Sequence, residues 1–159
     1  QKLPPAFVPK IGKVTAGNAS GINDGAAAMI IMSVEKAKEL NLSPIARIKA
    51  SARGACHPTI MGLSPVPAVK NLLNNSGFEI NDFELIELNE AFAAQVIACD
   101  RELKFDRNKL NVNGGAIALG HPVGASAARI VLTLLKEMQR RNAGTGTGVR
   151  RGKAGTCAT

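Results

Sequence analysis

The stretch FELIELNEAFAAQVIACDREL, residues 83–103, changes from one structural periodicity to another within a few positions. Its first part is a short, mostly apolar run, which predicts a buried strand over Phe83–Leu88. Apolar residues then recur at helical spacing, at Phe92, Val96, Cys99 and Leu103. This second pattern predicts a helix directly after the strand. A strand that passes into a helix is the repeating unit of layered α/β domains.

Other segments continue the alternation of strands and helices. Three short runs have strand character: Gly25–Met32, Ile45–Ala50 and Leu110–Val112. Three segments have helical periodicity: Val34–Leu40 after a capping Ser33, Val66–Leu73 before Gly77, and Val123–Met138. The pattern therefore predicts an α/β domain with helix, sheet and helix in layers and a mixed, mostly parallel sheet.

The composition narrows the class of protein. The chain has 159 residues, 45% of them hydrophobic, and a net charge of +8, which favours anionic partners. Without aromatic residues interleaved among the charges, we do not expect nucleic acid to be the partner. No apolar run approaches the roughly 20 residues of a membrane span, so we expect no membrane partner. The three cysteines lack paired spacing, which argues against a metal site and favours a reducing compartment.

A glycine-rich segment, NVNGGAIALGHPVGASAA at residues 111–128, surrounds one histidine. Its glycines fit neither a dinucleotide fingerprint nor a P-loop. Pro122 suits the first turn of the following helix, which would place His121 at the helix N-terminus and favour a neutral imidazole. Such a histidine can accept a proton from a thiol or stabilise an oxyanion. A purely structural role for His121, as a cap or turn residue, is equally compatible with the pattern.

Asn89 follows the strand over Phe83–Leu88, where a side chain either caps a helix or points into a cleft. The pattern alone favours the cap, because asparagine is a preferred N-cap residue. By spacing, Phe92 is more typical of a core residue than of a site. Met61 lies in an irregular stretch where it could contact a ligand, although core methionines are more common. The adjacent pair Cys56 and His57 gives little indication of a joint site, since neighbouring side chains of an extended chain point apart.

Four segments, taken in order, resemble the C-terminal half of the thiolases: GNASGINDGAAAMIIMS, PTIMGLSPVPA, NEAFAAQ and NVNGGAIALGHPVGASAARI. The likeness extends from Val14 to about Arg141 and is greatest for the biosynthetic, acetoacetyl-CoA type. It implies a thiolase-like C-terminal domain over residues 25–142. It also implies that residues 1–24 lead in, as loop or strand, from a missing N-terminal half.

The resemblance implies acyl transfer between coenzyme A thioesters. Two acetyl-CoA molecules condense to acetoacetyl-CoA and CoA, or the reverse thiolysis occurs. By this likeness His121 activates a nucleophilic cysteine and contributes to an oxyanion hole, and Asn89 holds a catalytic water there. Ser20, Met61, Ala91 and Phe92 match positions that line the pantetheine site. The likeness implies no metal or organic cofactor, since coenzyme A carries the substrate, and a homo-oligomeric full-length protein.

Two departures from the family pattern shape the expectations. The nucleophilic cysteine belongs to the N-terminal half, so we expect this chain alone to be inactive. Thiolases also continue with a strand, a second catalytic cysteine in a CxGGGxG motif and a final strand. Residues 143–159, AGTGTGVRRGKAGTCAT, lack that motif and any period, so we expect a disordered basic tail, missing last strands and no acid/base role for Cys157.

The sequence is also compatible with two other functions. One is a non-catalytic domain of the thiolase type that binds coenzyme A or acyl groups. The other is a basic module for anionic surfaces, which the specific motifs disfavour. We expect a cytoplasmic location. A mitochondrial or peroxisomal one stays open, because QKLPPAFVPK reads like the middle of a protein.

Overall fold

The computed structural model describes residues 3–150 and 153–158. Its helices and strands, in chain order, are α1 (Val34–Glu39), β1 (Arg47–Arg53), α2 (Pro65–Ser76), β2 (Leu85–Leu88), α3 (Ala93–Leu103), α4 (Ala116–Leu119), α5 (Ser126–Arg141), β3 (Thr145–Arg150) and β4 (Lys153–Ala158). Three 3₁₀ turns lie between them, at Pro58–Leu63, Ile80–Asp82 and Arg107–Lys109.

The four strands form one mixed sheet in the order β1-β4-β3-β2. Strands β2 and β3 are parallel, and β4 runs antiparallel to both of its neighbours, β3 and β1. Three strands therefore point the same way and one is reversed, which agrees with the mixed, mostly parallel sheet predicted from the sequence.

Helices cover both faces of the sheet, because alternate residues of β2 point in opposite directions. Ile86 and Leu88 belong to a core cluster that includes Val69 of α2. Leu85 instead packs in a second cluster with Leu134 and Met138 of α5. The predicted helix–sheet–helix layering is confirmed.

The helices with strong local signals form where the sequence predicts them. Ser33 caps α1 by accepting a hydrogen bond from the backbone N–H of Lys36 (3.1 Å). Helix α2 ends at Gly77, which adopts φ of 72°, a conformation that costs glycine little. The long helix begins at Ser126 and not at Val123, and a preceding turn is closed by hydrogen bonds to the carbonyl of Pro122.

For residues 143–150 and 153–158, the expectation of a disordered tail with missing last strands is wrong, because β3 and β4 occupy the centre of the sheet; residues 151, 152 and 159 of that tail lie outside the described residues. The glycines that suggested disorder have a packing role. A Cβ atom at Gly146 would lie 2.9 Å from side-chain atoms of Leu134 and Met138, and one at Gly148 would lie 3.3 Å from Ile130. The absence of side chains on this face of β3 lets α5 approach the sheet closely.

Two of the expected strands are not formed. Residues 25–32 lie outside any helix or strand, and Ile30 and Ile31 are 88% and 71% exposed. Their apolar character indicates burial, but the described residues offer no strand beside them. The segment Leu110–Val112 is reduced to a single parallel bridge between Leu110 and Ile86.

None of the helices within the described residues is long and apolar enough to cross a membrane.

Candidate active site

Asn89 lies at the carboxyl end of β2 and is almost fully buried. Its backbone N–H donates to the carbonyl of Val149 on β3 (3.1 Å), and its Nδ2 lies 3.3 Å from Nε2 of His121. Its Oδ1 is buried and has no hydrogen-bond partner among the described residues. The helix-cap interpretation of Asn89 is wrong, because α3 begins only after the extended residue Phe92. The side chain points into the site instead.

Asn111 attaches the glycine-rich segment to the end of β2. Its side-chain amide forms a pair of hydrogen bonds with Leu88, accepting from the N–H (2.8 Å) and donating to the carbonyl (2.9 Å). Its backbone adopts φ of 44°, which asparagine tolerates better than most residues. The same amide donates to Oε1 of Glu90 (2.8 Å).

Glu90, beside Asn89, holds the next turn of the glycine-rich segment. Its Oε2 accepts a hydrogen bond from the backbone N–H of Ile117 (3.2 Å), in the first turn of α4. The carboxylate occupies the space that a side chain at residue 115 would need, since a Cβ atom on Gly115 would lie 2.1 Å from its Cδ. The constraint at Gly115 is therefore this close approach and not the backbone angles, and a larger residue would require the Glu90 carboxylate to move.

Glu137 on α5 provides another anchor for the segment. Its carboxylate accepts hydrogen bonds from Arg140 (2.6 Å), from the amide of Asn113 (3.0 Å) and from Arg141. The hydrogen bonds from Arg140 and Asn113 hold the pKa of Glu137 well below its usual range. The start of the glycine-rich segment is thereby tied to the end of the long helix.

His121 lies between the glycine-rich segment and the early part of the chain. Its backbone N–H donates to the carbonyl of Gly21 (3.0 Å), and a parallel bridge links it to Ile22. Its Nδ1 lies 2.6 Å from Oγ of Ser126, the first residue of α5. The ring is thus held on one side by Ser126 and on the other by Asn89.

The four residues expected around a pantetheine group are only partly brought together. The backbone N–H of Ser20 donates to the carbonyl of Ala91 (3.0 Å), beside a bridge between Ala19 and Phe92. Phe92 also stacks edge-on with Phe7, with ring centroids 5.7 Å apart. Met61 lies on the Pro58–Leu63 turn and is about half exposed. Ser20, Ala91 and Phe92 therefore form one group, and Met61 belongs to another segment.

The cysteines lie at other places in the fold. The thiols of Cys56 and Cys99 donate to the carbonyls of Ile60 and Gly62, in the Pro58–Leu63 turn. Burial raises the pKa of the Cys99 thiol, which disfavours the nucleophilic thiolate. The backbone of Cys157 pairs with Gly146. Gly146 is three residues from Val149, or about 10 Å along the strand from the Asn89 end.

Beneath the site, Glu87 of β2 and Arg129 of α5 form a buried pair that the sequence did not indicate. Arg129 Nη1 lies 3.8 Å from Glu87 Oε2, and the carboxylate side chain is only 4% exposed. Burial raises the pKa of Glu87 to about 7, although Arg129 opposes the shift. The pair joins the strand that leads to Asn89 with the helix that begins at Ser126.

Replacing Glu87 with glutamine is expected to flatten the pH dependence of stability. A carboxyl group whose folded pKa is raised destabilises the fold as it ionises, so the parent should lose about 1–3 kcal/mol as pH rises from about 4.5 to 8. Urea unfolding of both chains across this range measures the effect. The exposed Glu102→Gln variant controls for loss of a surface carboxylate. A Glu87→Gln variant that kept the parent's pH slope would contradict the assignment.

Three residues of the site were not identified from the sequence: Glu90, Asn111 and Ser126. Glu90 and Asn111 lie in the motifs quoted above, but only the structure shows their hydrogen bonds. Asn111 bonds to Leu88, and Glu90 bonds to the backbone N–H of Ile117.

Ser126 lies five positions after His121, and this spacing alone does not predict a contact between the two side chains. The contact depends on the turn that follows Pro122. Within residues 3–150 and 153–158, no group of three or more histidine, cysteine or acidic residues is arranged to hold a metal ion.

Comparison with known families gives two matches along the chain. Residues 42–158 match the model described as the thiolase C-terminal domain, and residues 1–35 match the thiolase N-terminal domain. The acetyl-CoA acetyltransferase of Chromobacterium violaceum is 57% identical over 145 residues, covering 91% of this chain and 37% of that protein. The acetyl-CoA acetyltransferase of Escherichia coli is 58% identical over 140 residues, covering 88% and 35%.

Solved structures give the same likeness. The human mitochondrial 3-ketoacyl-CoA thiolase superposes with a TM-score of 0.94 at 46% identity, covering 100% of this chain and 41% of that one. The same enzyme in complex with CoA gives a TM-score of 0.92. The chain thus spans well under half the length of the proteins that it resembles, 37% in the case of the Chromobacterium relative.

Proposed function

The chain belongs to the thiolase family, and on that premise we propose that it forms the C-terminal part of an acetyl-CoA acetyltransferase. The proposed reaction condenses two acetyl-CoA molecules to acetoacetyl-CoA and CoA, or runs in the reverse, thiolytic direction. The observation that carries the proposal is the contact between Asn89 and His121, 3.3 Å apart at the end of β2. The identity to the acetyl-CoA acetyltransferases, 57% in the first case, supports the choice of substrate.

In this proposal His121 is the general base. Nε2 accepts the proton of a cysteine thiol, and the thiolate attacks the carbonyl carbon of acetyl-CoA to form an acetyl-thioester, releasing CoA as the leaving thiolate. The resulting imidazolium then donates a hydrogen bond toward the developing oxyanion. The cysteine comes from the N-terminal part of the family, since the described thiols of Cys56 and Cys99 donate to backbone carbonyls elsewhere.

Asn89 serves the same site through its unpaired carbonyl oxygen. A buried Oδ1 without a hydrogen-bond partner is costly, so a ligand or water that donates to it is favoured. We assign this position to a catalytic water or to a donor on the substrate. In this proposal the backbone-linked group of Ser20, Ala91 and Phe92 provides one wall for the pantetheine arm. Met61, half exposed on the separate Pro58–Leu63 turn, contacts the arm independently of that group.

The exposed apolar segment supports an N-terminal thiolase part as partner. Ile22, Ile30 and Ile31 are each more than 70% exposed, and the backbone of residues 25–32 is in neither helix nor strand. Apolar exposure of this kind marks an interaction surface. Residues 1–35 match the thiolase N-terminal domain, so we propose that preceding residues of that domain cover this segment.

The proposed function is tested by comparing the chain alone with the same chain joined to the N-terminal part of a thiolase. The chain alone is expected to show no CoA-dependent cleavage of acetoacetyl-CoA. The same chain, placed behind the N-terminal part of the Escherichia coli relative and with residues 143–159 replaced by a C-terminal thiolase segment that carries the CxGGGxG motif, is expected to cleave acetoacetyl-CoA. The cleavage is measured as loss of the enolate absorbance of acetoacetyl-CoA.

Two outcomes would contradict the proposal. Activity of the chain alone would remove the need for a cysteine from the N-terminal part. A joined protein that elutes as a folded species and binds CoA without cleaving acetoacetyl-CoA would favour the alternative function, a non-catalytic domain that binds coenzyme A or acyl groups.

A further inference from the structure

Ser126 lies within hydrogen-bond distance of the imidazole ring of His121. It is the first residue of α5, it is completely buried, and its Oγ lies 2.6 Å from Nδ1 of His121. We propose that Ser126 is a positioning residue that sets the tautomer of His121, with the proton on Nδ1 and the lone pair on Nε2.

The direction of the bond follows from where the serine proton goes. A hydroxyl has one proton to donate, and Oγ of Ser126 lies 3.0 Å from the carbonyl oxygen of Pro122 with donor geometry. A serine that donates to the carbonyl four residues earlier is a common arrangement at helix positions. With its proton directed to Pro122, Oγ accepts, so Nδ1 of His121 is the donor. Because Ser126 is buried, water cannot replace either bond.

The far side of the ring is consistent with the same tautomer. Nδ2 of Asn89 carries only donor hydrogens, and it lies 3.3 Å from Nε2 of His121. A lone pair on Nε2 accepts from that amide. The opposite tautomer would place one donor against another unless the Asn89 amide were reversed. The orientation of Asn89 and the tautomer of His121 are therefore linked through Ser126.

The second histidine of the chain has the reverse pattern and gives a matched comparison. Nδ1 of His57 accepts a hydrogen bond from the backbone N–H of Thr59 (3.4 Å). A backbone N–H cannot accept, so this contact favours a lone pair on Nδ1 and a proton on Nε2 in neutral His57. The Thr59 hydroxyl, 2.8 Å from Nδ1, can donate to the same lone pair. The structure thus assigns opposite tautomers to the only two histidines in the sequence.

The consequence for catalysis rests on the proposed function. A proton from the attacking thiol can move only to a nitrogen that carries a lone pair. With the proton held on Nδ1, Nε2 is the basic atom in every resting molecule, on the side of the ring that contacts Asn89. In the other tautomer the base would face Ser126, away from Asn89. Holding a histidine in its required tautomer and orientation is a recognised contribution to catalysis.

The tautomer is measured on the 159-residue chain itself, without an activity assay. A long-range ¹H–¹⁵N correlation spectrum, recorded at a pH where both imidazoles are neutral, distinguishes the two tautomers. The His57→Gln variant assigns the signals, because only one histidine then remains. We expect the Nδ1–H form for His121 and the Nε2–H form for His57. An Nε2–H form for His121 overturns the proposal, whether or not the joined protein is an active thiolase.

Variants at residue 126 test whether the serine is the cause. Ser126→Ala should shift His121 toward the Nε2–H form, whereas Ser126→Thr, which retains the hydroxyl, should preserve the parent pattern. An alanine variant that keeps the parent tautomer overturns the role of Ser126. If that variant fails to fold, Ser126→Cys takes its place and should give the same shift, because a thiol accepts hydrogen bonds only weakly. In the joined protein, Ser126→Ala should lower kcat about tenfold or more, with restoration by threonine.

Discussion

Replacing His121 with alanine in the joined protein is expected to lower kcat for acetoacetyl-CoA cleavage by about 10²–10⁴-fold. The reason is the loss of the group that accepts the thiol proton and that contacts Asn89 at 3.3 Å. Steady-state kinetics at saturating CoA measure the change. KM should alter much less than kcat, because the imidazole acts on the reacting atoms and not on the nucleotide end of the substrate.

His57→Ala provides the matched control for this experiment. His57 is exposed, and its ring bonds locally to Thr59, two residues away. Its removal should change kcat less than about twofold, since surface substitutions away from a site have small effects. Similar small effects of both substitutions would show that His121 has only a structural role.

Replacing Gly115 with alanine is expected to destabilise the chain by about 2–4 kcal/mol. The added Cβ atom would lie 2.1–2.3 Å from the carboxylate atoms of Glu90. The carboxylate would have to leave its bonds to Asn111 (2.8 Å) and to the N–H of Ile117 (3.2 Å). Urea unfolding measures the loss, and in the joined protein kcat should fall with it, because the displaced turn leads to His121.

Two comparisons separate this clash from a general effect of glycine replacement. Gly124→Ala adds the same methyl group in the same segment, where nothing lies within 4 Å, and should be close to neutral. In a Glu90→Ala background, Gly115→Ala should destabilise the chain much less than in the parent, because the carboxylate that the added Cβ atom meets is absent. Additive costs of the two substitutions would mean that they do not interact, contrary to the geometry.

The tail shows how composition can mislead about a central strand. Residues 143–159 contain glycines and basic residues without a helical or strand period, which is typical of disorder. In the fold, Thr147 and Val149 of β3 are buried, and Gly146 and Gly148 make room for α5. A glycine that is selected for close packing cannot be distinguished, in one sequence, from a glycine that confers flexibility.

The sequence alone determined the features that depend on neighbours along the chain. The apolar spacing of α2, α3 and α5 predicted their existence, and Ser33 and Gly77 marked helix ends, because capping and periodicity are local properties. The motifs around Asn89 and His121 are contiguous stretches of sequence, so their resemblance to the thiolases is also visible without the fold.

Only the tertiary structure decided how distant segments combine. The pattern alone favoured a helix cap for Asn89, but the helix begins only after Phe92, and the Asn89 side chain instead contacts His121, 32 residues later in the sequence. The apolar run at residues 25–32 indicated burial but could not name its partner, and no described strand lies beside it. The tautomer of His121 depends on a buried hydroxyl that reaches the ring only because the turn after Pro122 folds back. Hydrogen bonds and close packing across the fold depend on distances in space, which spacing along the chain does not specify.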